Sequence, residues 1–132
     1  MFTCLALLAF GTASLADIPS LASEVEAEAR SLAARQEFSP AFLADLTEFS
    51  GDAMRLSDAL RAGDAPADLP CIFRGISEDA MVHAAELQQA ATPAEEAAAF
   101  AALAALLDDA ILLAPMAAGA EPEPAHLAGG PT

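Results

Sequence analysis

The chain reads as an all-α protein, an antiparallel up-down-up-down four-helix bundle followed by a disordered C-terminal tail. Three observations predict it. Four stretches of similar length place apolar residues at spacings of three and four, and capping or breaking residues bound each stretch. The connections are short, which forces neighbouring helices to run antiparallel. No stretch alternates apolar and polar residues as a half-buried strand does.

The first helix is expected to follow Pro19-Ser20 and run to about Glu37, with Leu21, Val25, Ala29, Leu32 and Gln36 on one face. Ser20 is placed to cap it, and Glu24, Glu26 and Glu28 complement the positive end of its dipole. The second starts at Ser39-Pro40, a cap followed by a proline where its missing N–H costs nothing. Phe42, Leu46, Phe49, Ala53, Leu56 and Leu60 lay a continuous seam along it, and Gly63 ends it.

The third helix is expected from Asp68, as N-cap, to about Ala90, with Leu69, Ile72, Phe73, Ile76, Ala80, Ala84 and Leu87 in phase. A break near Gly75 is the alternative, because Ser77-Glu78-Asp79 could itself cap a helix. Thr92-Pro93-Ala94-Glu95 opens the fourth with a capping box and a proline at the first helical position. Phe100, Leu103, Leu107, Ile111 and Ala114 form its seam, and Pro115 is expected to stop it. Residues 115–132, rich in Pro, Gly and Ala, lack the periodic apolar residues that would offset ordering entropy and read as a disordered tail.

At 132 residues the chain is long enough for one domain, which these elements place at 17–114. Residues 1–16, MFTCLALLAFGTASLA, read as a cleaved signal peptide: a short apolar run, then Ser14-Leu15-Ala16 ahead of a cut before Asp17. The run is too short to span a bilayer, so no stable membrane anchor is expected after cleavage, and the protein is expected to be periplasmic or secreted. Five arginines face twenty acidic residues, a formal charge of -15. Such a field repels phosphate, and no basic stripe overcomes it, so nucleic acid is not an expected partner.

Two constellations could carry chemistry. Cys71 falls in the first turn of the third helix, where the dipole and Arg74 would favour a thiolate. Loss of the leader takes Cys4 with it, which makes Cys71 a candidate reactive or intermolecular thiol. Asp79, His83 and Glu86 recur at one-turn spacing, an imidazole between two carboxylates that suits a divalent metal or proton transfer. Cys71 and His83 are about 18 Å apart along one helix and cannot form a catalytic pair there. No phosphate-cradling loop, CxxC or convincing triad is present, so no enzyme and no resident cofactor is expected. The expected role is non-enzymatic: binding a protein partner, or self-association as a homo-oligomer, through apolar helix faces. A metal-binding or thiol-redox role for those residues is the alternative.

Overall fold

The computed structural model describes residues 18–66 and 68–120. Residues 1–16, read as a signal, and the part of the expected tail from residue 121 onward lie outside the described residues. Four helices follow in order: α1 (Ile18–Ala33), α2 (Pro40–Ala62), α3 (Asp68–Gln89) and α4 (Pro93–Ala118). Each packs on two neighbours in the cyclic order α1, α2, α3, α4, with the α2–α3 and α1–α4 faces the most extensive.

The register of side-chain contacts shows two of the antiparallel pairings. Arg35 of the α1–α2 connection pairs with Asp45, while Glu28, two turns earlier, meets Asp52, two turns later. Across α2 and α3, Ser57 meets Pro70 and Ser50 meets Ser77. As residue number rises on one helix it falls on the other.

The α2 seam is buried as expected, with Phe42, Leu46, Phe49, Ala53, Leu56 and Leu60 all at 0% exposure. Phe42, Phe49 and Phe73 are the largest fully buried side chains, and alanines fill much of the remaining core. Small side chains let the backbones approach closely. Sequence periodicity missed a polar seam between α2 and α3, where Ser50, Ser57 and Ser77 are buried. The Ser50 hydroxyl donates to the Ser77 carbonyl at 2.8 Å, and the Ser77 hydroxyl donates to the Ser50 carbonyl at 2.7 Å. Ser57 donates to the Pro70 carbonyl at 2.6 Å. Each hydroxyl thereby satisfies a donor that burial would otherwise strand.

Helix ends differ from expectation for local physical reasons. α1 is already helical at Ile18, the first described residue, so Ser20 lies inside the helix and does not cap it. It ends at Ala33 and not near Glu37. Ending at Glu37 would leave Phe38 alone to reverse the chain before the Ser39 cap. Instead the chain leaves the helix early, and Phe38 packs against the core. Ser39 and Thr92 cap α2 and α4 as expected, accepting from the N–H groups of Phe42 and Glu95 at 3.1 Å each. Glu95 returns a hydrogen bond to the Ala91 N–H at 2.8 Å.

Gly63 is the C-cap of α2, with a right-handed φ of -86°. The reversal falls one residue later, on Asp64 at φ 54°, a conformation that aspartate tolerates better than most residues. The N–H groups of Asp64 and Ala65 return to the carbonyls of Arg61 and Leu60, closing a Schellman-type end. α3 passes through Gly75 unbroken, and Asp68 is its first helical residue.

Pro115 does not stop α4, which continues to Ala118. The proline forfeits one backbone bond, but burial of Ala114 and Ala117 keeps the last turn in place. The Gly119 N–H bonds the Pro115 carbonyl at 3.2 Å and closes the end. The ordered bundle thus extends past the expected boundary at 114.

Gly51 and Gly75 sit inside helices with nothing within 4 Å of where a Cβ would stand. Gly51→Ala and Gly75→Ala are each expected to stabilise the fold by about 0.5–1 kcal/mol, read as a higher urea midpoint at unchanged m-value.

Candidate functional site

Cys71 is disulfide-bonded. This corrects the expectation of a free, reactive thiol there. The sequence holds one other cysteine, Cys4, which lies outside the described residues. Arg74, expected to depress the thiol pKa, extends to Glu78 one turn along α3 at 3.0 Å. Alkylation of the unfolded, unreduced protein is expected to leave Cys71 unlabelled, with labelling after a dithiol reductant. Mass-mapped peptides read the result.

Asp79, His83 and Glu86 do not converge into a three-ligand group. His83 Nδ1 lies 3.2 Å from Glu86 Oε2, one turn forward, while Asp79 one turn back is exposed. Among the described residues, three potential ligand atoms come within 4.8 Å of one another at Glu28, Glu48 and Asp52.

This cluster joins α1 to α2. Glu28 lies on the side of α1 that faces α2, and Glu48 and Asp52 share a face of α2 one turn apart. Asp52 is 4% exposed and takes a salt bridge from Arg55 at 3.0 Å. Glu28 is partly buried and hydrogen-bonds Asp52. Burial, then that hydrogen bond, then the charges of Asp52, Glu48 and Glu24 push the Glu28 pKa up to about 8. Two carboxyl groups can hydrogen-bond only if one holds a proton, and these causes leave it on Glu28. Glu28 Oε2 is buried with no hydrogen-bond partner, beside a cleft of about 190 Å³ lined by Glu28, Ser31, Leu32, Asp45 and Glu48. From the sequence alone Glu28 reads only as a dipole-complementing residue; the signal for more is an aspartate, Asp52, adjoining the buried seam residue Ala53.

The second unusual feature is the outside of α4. Its core face holds Ala99, Leu103, Leu107, Ala110, Ala114 and Ala117. The opposite stripe is also mostly apolar: Ala101, Ala104 and Ala105 are exposed, as are Leu112 at 69% and Met116 at 59%. Asp108 and Asp109, also exposed, interrupt it. The helix is long and apolar enough to cross a membrane, yet the bundle buries only 28% of its most apolar stretch. The other exposed large apolar residues, Ile72, Met81 and Val82, lie on α3 among the exposed acids Glu78 and Asp79.

No family model matches the sequence, and no curated protein or solved structure is significantly similar to it.

Proposed function

We propose that this is an exported, non-enzymatic helical module that binds a protein, either a partner or a second copy, through the outer face of α4. The observation that carries this reading is the helix itself, apolar on both sides and covered on one. A surface helix of a soluble bundle ordinarily turns a polar face to water, and an exposed face that is mostly apolar marks an interaction surface. Export, to the periplasm or beyond, is supported by the apolar leader and the small residues Ser14 and Ala16 ahead of a cut. The formal charge of -15 argues against a nucleic-acid partner.

A photo-crosslinking residue in place of Ala105, in the exporting cell, is expected to give a discrete higher-mass adduct that disappears when Leu112→Glu and Met116→Glu are added. The reading is lost if no adduct forms and light scattering finds a monomer.

A second reading, metal binding, is favoured by one observation: the buried, unpartnered Oε2 of Glu28 beside two further carboxylates. Oxygen ligands of this kind suit a hard divalent cation, which would displace the Glu28 proton. Thermal stabilisation by Ca²⁺ or Mn²⁺ that grows with pH and vanishes in Glu28→Gln supports it. Elemental analysis without stoichiometric metal, together with an unchanged melting temperature, retires it. The structure does not gather Asp79, His83 and Glu86 for that role.

A further inference from the structure

We infer that the occupant of the α4 outer face is a basic amphipathic helix of another protein, with a lysine or arginine set against Asp108 and Asp109. This rests on reading that face as the docking surface.

Exposed alanines allow close approach of a second helix, and Leu112 and Met116 offer large apolar anchors toward one end of the stripe. Asp108 and Asp109 stand in the middle of the same stripe, and neither forms an ion pair among the described residues. The chain has little positive charge to lend them. It has five arginines, of which Arg30, Arg35, Arg55 and Arg74 pair with acids on α1, α2 and α3, and Arg61 is also engaged. Complementary charge at this face would have to come from a partner, because the chain does not supply it.

The same two residues discriminate between occupants. They lie near the middle of α4, so a second copy docked on this face in either direction would bring four carboxylates close together, on subunits that already repel through their net charge. A lipid surface would have to take both carboxylates toward hydrocarbon, at a cost of several kcal/mol. A helix with small and apolar residues flanking one or two cations meets neither penalty, and it gains specificity from the paired charges.

The test uses the full chain and two synthetic peptides of about 18 residues. One carries alanine and leucine on one face with two lysines at mid-face; its twin carries glutamates in their place. Fluorescence anisotropy at about 0.15 M salt is expected to show the lysine peptide binding at least about tenfold tighter than its twin. Asp108→Lys with Asp109→Lys should reverse that preference, whereas Glu37→Lys with Asp79→Lys, an equal charge change elsewhere, should preserve it. Equal binding of the twins, no binding of either, or loss of preference in the control variant overturns the inference. So does a dimer by sedimentation that Leu112→Glu dissociates, or flotation with phosphatidylcholine vesicles that the same variant abolishes. If Leu112→Glu weakens both peptides while their charge makes no difference, α4 remains the docking face and only the basic partner is lost. If Leu112→Glu leaves lysine-peptide binding unchanged, the reading of α4 itself fails.

Discussion

Phe42→Ala is expected to destabilise the protein by about 3–5 kcal/mol, the range for deleting a fully buried phenylalanine. Phe42 has 0% exposure and links three parts of the fold at one end of the bundle. Its ring meets Phe100 of α4 edge-on at 5.6 Å and Phe38 of the α1–α2 connection at 6.5 Å. Arg35, held by Asp45, lies over the ring at 5.2 Å from its centre. Truncation therefore removes buried area, two edge-to-face contacts and a cation–π contact together. Native domains are stable by only about 5–15 kcal/mol, so the loss is a large fraction of the total. Denaturant unfolding followed by far-ultraviolet circular dichroism measures it. A cost below about 1 kcal/mol would show that this end of the bundle collapses around the gap, contrary to the packing described.

Glu28 is expected to make the protein less stable as pH rises, the reverse of the usual behaviour of paired carboxylates. In the unfolded chain its carboxyl titrates near the ordinary value of 4.5; in the fold it holds its proton to about 8. Below the lower value both states are protonated, and the stabilising linkage is fully present. Between the two the folded state binds the extra proton, so stability falls with rising pH until the folded group titrates. The Glu28 side chain is partly open to solvent, and screening brings the effect to about 1 kcal/mol, or about 4–8 °C in Tm for a domain of this size. Glu28→Gln retains a donor for Asp52 and should flatten the curve, raising Tm at pH 9 relative to the native residue. A Tm in the native protein that climbs steadily from pH 5 to 9, unaltered by Glu28→Gln, would exclude the proton from this site.

The two candidate sites were legible in the sequence to very different degrees. Cys71 and the Asp79, His83, Glu86 series drew attention because rare, reactive side chains recur at helical spacing. Spacing along one helix establishes only that residues share a face. It does not supply the second helix that a metal site needs, and among the described residues His83 pairs with Glu86 on its own helix. The Glu28 and Asp52 carboxyls are 24 positions apart in sequence, and nothing local connects them. They meet because α1 and α2 pack in one register. The α4 sequence carries Leu106, Ala110 and Leu113 beside its seam, an apolar excess, but which side stays uncovered depends on how few neighbours reach that helix.

The sequence by itself determined that the described residues make four helices, where α2 and α4 begin, and which apolar residues of α2 line the core. Those features depend on interactions within a few residues: a hydroxyl capping an N–H, a proline tolerated at a first turn, an apolar seam repeated at helical spacing. Only the tertiary structure decided where α1 ends, that α4 outlasts Pro115, that serines lock α2 to α3, and that burial and the Asp52 carboxyl push the Glu28 pKa up. In each of these cases the deciding energy is burial against, or contact with, another element. Such terms have no counterpart in the local pattern, because they depend on which faces meet once the helices pack.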